Sequence, residues 1–96
     1  MRINIVKLAS YLPNYLRSLK NAIEYELGER EFQNEIEMIA EVQLVIEKFK
    51  MEMYLETTHR LNTVDFSARI KYIKGRKNII VVNSTGNLRI LKIEAV

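Results

Sequence analysis

Apolar residues recur at steps of three and four through Leu12, Leu16, Leu19 and Ile23, the spacing that places side chains on one helical face. This predicts a first helix over residues 13–27. Pro13 suits its first position, where a missing N–H is no loss. Gly28 falls just past the end, free to adopt positive φ. Residues 2–8 read two ways. Ile3 and Ile5 alternate like an edge strand, while Ile5, Leu8 and Leu12 continue the helical spacing.

No Gly or Pro interrupts residues 29–58, which predict a second helix of about 45 Å. At 100° per residue, Phe32, Ile36, Ile39, Ile46 and Met53 fall together, and Met38, Val42, Val45 and Phe49 widen that stripe. Glu37, Glu41, Lys48 and Glu52 occupy the far side. A separate apolar patch, Leu44, Met51 and Leu55, lies between stripe and polar ridge. The first helix has about half the length of the second and leaves part of it uncovered, so further structure or a partner must pack there.

The pattern then changes to strands. Residues 78–83 are apolar on both faces, as in a central strand. Residues 84–87 read as a turn, and residues 88–94 as the strand that returns from it. Residues 64–74 are contested. As a strand, Phe66, Ala68, Ile70 and Tyr72 face one way and Ser67, Arg69 and Lys71 the other. As a helix, Phe66, Ile70 and Ile73 share a face, with Thr63 at its start and Gly75 at its end. Alternation with β-branched and aromatic content favours the strand.

The expected fold is therefore α+β: a helical hairpin, short helix then long helix, packed on a three-stranded antiparallel meander. The alternative is three helices plus a β-hairpin, a winged-helix-like arrangement. Its groove-entering helix would carry Arg69, Lys71 and Lys74.

Length agrees with one domain spanning residues 1–96, since domains run from about 50 to 250 residues. Residues 1–60 are expected to be helical and acidic, and residues 61–96 mainly strands and basic. Residues 1–56 hold seven Lys/Arg and ten Glu, a net of −3; residues 57–96 hold eight Lys/Arg against two acids, a net of +6. The sum is the chain's +3, and the division points to a basic surface on one part of the molecule.

The absence of cysteine excludes disulfides, iron–sulfur clusters and thiol nucleophiles. Asn4 and Lys7 break the apolar stretch a signal peptide needs. The longest aliphatic run, Ile79 to Val82, is far short of the ~20 residues of a membrane helix. A cytoplasmic protein without membrane association is expected.

Catalytic arrangements do not assemble. His59, the single histidine, could join Asp65 and Ser67 or Ser84 in a nucleophile–base–acid set, but no Gly-x-Ser-x-Gly elbow supports it. A histidine near the end of the second helix more simply opposes the helix dipole. Glu31/Glu35, Glu37/Glu41 and Glu52/Glu56 have helical spacing, yet a di-metal bundle needs Glu-x-x-His on facing helices. Gly75 and Gly86 are isolated, so no phosphate loop exists. No cofactor and no small-molecule substrate is implied.

Two signals remain. The Leu44, Met51 and Leu55 patch suggests a homo-oligomer or another protein partner, and a non-enzymatic assembly or adaptor role. The cations Arg69, Lys71, Lys74, Arg76, Lys77 and Arg89 suggest nucleic-acid binding through a basic strand and turn surface. They also suit protection of an edge strand or a surface facing the acidic helix of another copy. Aromatics that would stack on bases are missing from Lys74-Gly75-Arg76-Lys77-Asn78. A small inhibitor encoded by a virus or mobile element would carry the same features.

Overall fold

The computed structural model describes residues 1–10, 12, 14–56, 66–71, 79–84 and 89–96; for residues 53–56, 66, 67, 70, 71, 79 and 84 it describes the backbone alone. The elements are β1 (Ile3–Lys7), α1 (Asn14–Leu27), α2 (Glu35–Glu56), β2 (Phe66–Lys71), β3 (Ile79–Ser84) and β4 (Arg89–Ala95). They form an α+β fold with an antiparallel four-stranded sheet in the order β1-β4-β3-β2.

The expected three-stranded sheet is thus corrected to four. Residues 3–7 form an edge strand on β4, and the helical reading of that segment fails. The reason lies at both ends of the strand. Arg2 and Val96 exchange backbone hydrogen bonds at 3.1 and 2.8 Å, and the Leu8 N–H donates to the Ile90 carbonyl at 2.7 Å. On its other side, Met1 is held by Phe32, whose N–H donates to the Met1 carbonyl at 2.8 Å. The Met1 ammonium donates back to the Phe32 carbonyl at 2.9 Å. These long-range bonds outweigh the local helical spacing of Ile5 and Leu8. The strand at Phe66–Lys71 likewise sets aside a third helix over that segment.

Helix α1 buries the predicted face: Leu16, Leu19 and Ile23 are fully buried, with Leu12 and Leu27 nearly so. Gly28 does not use the left-handed φ open to it. A Cβ there would run into the carbonyl oxygen of Glu24, which already accepts the Gly28 N–H at 2.9 Å.

Helix α2 starts at Glu35 rather than near residue 29. Asn34 is its cap: its Oδ1 accepts the Glu37 N–H at 2.8 Å, and Glu37 Oε2 accepts the Gln33 N–H at 2.9 Å. This near-reciprocal pair satisfies donors that a helix start leaves open. Phe32 is buried before the helix begins, with the Arg30 guanidinium 5.2 Å from its ring centroid.

One core joins the layers. Met38, Val42 and Ile46 of α2 and the buried face of α1 share it with Ile80 and Val82 of β3 and Ile90, Leu91 and Ile93 of β4. The register shifts between Val82 and Asn83, so that Val82 faces Leu91 but Asn83 faces Arg89. Such a bulge disturbs the usual alternation. Consecutive Ile90 and Leu91 therefore both enter the core.

Candidate interaction surfaces

On α2 the buried side chains Met38, Ile39, Val42, Val45, Ile46 and Phe49 cover an arc of about 120° at 100° per residue. Roughly opposite lies a second apolar strip. Ile36 is 78% exposed, Leu44 64% and Met51 67%, and the exposed Ala40 lies among them. These four fall within about 80° of arc and span about 22 Å of helix. Ile36, expected in the core stripe, belongs here instead. The core is centred on Val42, Ile46 and Phe49, which turns Ile36 outward. Leu55 continues the strip along the helix backbone, and its side chain lies outside the described residues.

Charges beside the strip are matched within the chain. Arg30 pairs with Glu37 at 3.4 Å and Glu41 at 3.1 Å, and Lys48 pairs with Glu26 at 3.2 Å. Glu47 lies between Ile36 and Ala40 in angle, and Lys50 approaches it at 3.9 Å. The exposed strip is therefore mainly apolar, with the Glu47 carboxylate within its arc and paired ions along its border.

The second surface is the sheet face away from the helices. Strand alternation puts Ile80 and Val82 in the core and Val81 on the outer face, where it is buried but apart from the core cluster. Val81 faces Arg69 on β2 and Lys92 on β4. Arg89 faces Asn83, two positions along the same strand. Residues 89 and 92 would alternate to opposite faces of a regular strand; the bulge brings Arg89 to the face that carries Lys92. Arg69 and Arg89 are exposed. Lys92 lies 3.5 Å from Glu94, which also accepts a hydrogen bond from Asn4 at 3.2 Å. Asn83 is buried on this face, and its Oδ1 has no hydrogen-bond partner among the described residues.

Of the predicted cations, then, Arg69 and Arg89 come to one face. Lys71 holds the position facing Ile79 in the register, and Lys74, Arg76 and Lys77 lie outside the described residues. So do His59 and Asp65, while Ser67 and Ser84 lie on β2 and β3. Lys92 was missing from the predicted set. Its alternation with Ile93 was a visible signal, but the cross-strand register that places it opposite Val81 was not.

A shallow groove lined by Met1, Arg2, Ile3, Asn4, Glu31 and Val96 has its charges internally matched. Arg2 pairs with Glu31 at 3.1 Å and Glu29 at 3.6 Å. The Met1 ammonium hydrogen-bonds Glu31 at 3.1 Å. That ammonium first, and Arg2 second, hold the Glu31 carboxyl below its ordinary value. Among the described residues, no three His, Cys, Asp or Glu side chains converge where a metal would bind, and no helix is long and apolar enough to cross a membrane.

These features define a small α+β domain with helices on one face of an antiparallel sheet. Comparison of the chain with protein-family models, curated proteins and solved structures finds no match.

Proposed function

We propose that this protein is a non-enzymatic assembly module that associates through α2, with a second copy of itself as the partner. The observation that carries this reading is the strip of Ile36, Ala40, Leu44 and Met51, exposed on the side of α2 away from the core. Large apolar side chains gathered in one arc mark a contact surface more strongly than scattered ones.

The strip is also self-complementary. The midpoint between Ile36 and Met51 falls beside Leu44. An antiparallel two-fold pairing centred there places Ile36 against Met51 of the second copy and Leu44 near its own counterpart. The small Ala40 then faces Glu47, leaving room for its chain to reach solvent. An isologous contact has this property, since each patch must match itself.

Sedimentation of the wild type and of Leu44→Glu/Met51→Glu tests the reading. The wild type should form dimers at micromolar concentration and the double variant folded monomers. A wild type that stays monomeric at high concentration overturns self-association.

A further inference from the structure

We propose that the outer face of the sheet, carrying Arg69, Arg89 and Lys92, binds the phosphate backbone of nucleic acid. The first argument is geometric. Arg69 and Lys92 flank Val81 in one cross-strand row, so their backbones stand two strand spacings apart, about 10 Å. Arg89 belongs to the row through Asn83, displaced along the strands by about 7 Å. Charges on one strand of duplex DNA recur about every 3.4 Å of axis, so cations spread over about 7 to 10 Å are on the scale of a few neighbouring phosphates. The bulge between Val82 and Asn83 is what assembles this set.

The second argument concerns which cations have partners. Lys20, Arg30, Lys48 and Lys50 of the helical layer each have a carboxylate within 4.0 Å. Arg69 and Arg89 have none among the described residues, and Lys92 has only Glu94 of its own strand. Paired helix carboxylates also make α2 of another copy a poor match, because its Glu37, Glu41 and Glu47 already have cations.

The third argument separates nucleic acid from a protein partner. Protein interfaces have an apolar core, whereas the large exposed apolar side chains here are Leu8, Tyr25, Ile36, Leu44, Met51 and Val96. Tyr25, Ile36, Leu44 and Met51 lie on the helices, and Leu8 and Val96 just beyond the ends of β1 and β4, so none lies in the rows that carry Arg69, Lys92 and Arg89. A face on which three cations outnumber the one carboxylate of Glu94 around a buried valine and an asparagine suits a polyanion. It contacts phosphate and carries no base readout, so binding is indifferent to sequence.

The test is fluorescence anisotropy of a short labelled duplex, titrated with wild type and with Arg69→Ala/Arg89→Ala. If each of the three cations neutralises one phosphate, log K falls with log salt at a slope of about −2.7. Affinity then drops about 40-fold between about 50 and 200 mM salt. Loss of two contacts should flatten the slope to about −0.9, and the drop to about 3- to 4-fold. Circular dichroism should show the same fold in both proteins. No binding at about 50 mM salt, or an unchanged slope in the folded double variant, overturns the proposal. A change in the protein's own sedimentation on making the double variant, without loss of duplex affinity, assigns the face to another copy instead.

Discussion

Leu44→Glu should convert a self-associating protein into a folded monomer, and the size of the effect follows from its exposure. Full burial of a leucine contributes about 1.5–3 kcal/mol. Leu44 is 64% exposed in the single chain, so covering the remainder yields about 1–2 kcal/mol. A two-fold contact uses the residue twice, making about 2–4 kcal/mol per dimer. At 1.4 kcal/mol per decade, that weakens dimerisation by about 30- to 700-fold. Placing a carboxylate in the contact adds a desolvation cost to this. The chain's own stability should change by no more than about 0.5 kcal/mol, as for surface positions in general. Sedimentation velocity over a concentration series reads the first quantity, and urea denaturation of the monomer the second. Tyr25→Glu is the control, since Tyr25 is 91% exposed on α1 but off the strip, and should leave the dimer intact. The reasoning is refuted if Leu44→Glu dimerises like the wild type, or if Tyr25→Glu disrupts the dimer equally.

On the opposite side of the same helix, Ile46→Ala should lose about 2–5 kcal/mol of stability, because Ile46 is 1% exposed; the urea midpoint will show it. The depressed Glu31 pKa stabilises the fold above the ordinary carboxylate value of 4.5, and that contribution is lost as pH falls through the lower folded value. Carboxyl carbon shifts followed by NMR should titrate below 4.5, and Arg2→Ala should move the midpoint part of the way back, since the Met1 ammonium is the larger cause.

Much of α1 was legible because its signal is local and redundant. Leu12, Leu16, Leu19 and Ile23 repeat at helical spacing, and burial follows them. In α2 the same method erred by nearly two turns and by an angle. The run without Gly or Pro suggested a start near residue 29, whereas Asn34 and Glu37 cap the helix three residues apart. That capping pair was readable in the sequence. A helix extended back to residue 29 puts Phe32 and Ile36 on one face. In the fold Phe32 belongs to the preceding loop, and Ile36 points outward. Leu44 and Met51 were legible as exposed because they stand apart from the core arc in any register.

The sheet was legible in composition but not in pairing. Edge strand β1 is secured by Val96 and Phe32, residues distant in sequence, so nothing within residues 2–8 could decide between strand and helix. The outer-face cluster depends on the bulge beside Asn83. Regular alternation would have separated Arg89 from Lys92, and no local residue pattern announces the shift. A site assembled by register is hidden from periodicity even when each strand is found.

The two proposed surfaces have a joint consequence, because they lie on opposite sides of one core. The strip on α2 points away from the core that α1 and the sheet share, and Arg69, Arg89 and Lys92 lie on the far side of that sheet. Pairing two copies through α2 therefore turns their outer sheet faces away from each other. Such a dimer cannot set both faces on one straight duplex, and linked sites gain nothing where geometry forbids simultaneous engagement. It can join two duplexes. Energy transfer between separately labelled duplexes should then appear with the wild type, reach a maximum and fall once protein is in excess. Leu44→Glu should bind each duplex with the wild-type salt slope yet give no transfer. Transfer that persists in a proven monomer would place both contacts within one chain and break the link between the helix strip and the bridging of two duplexes.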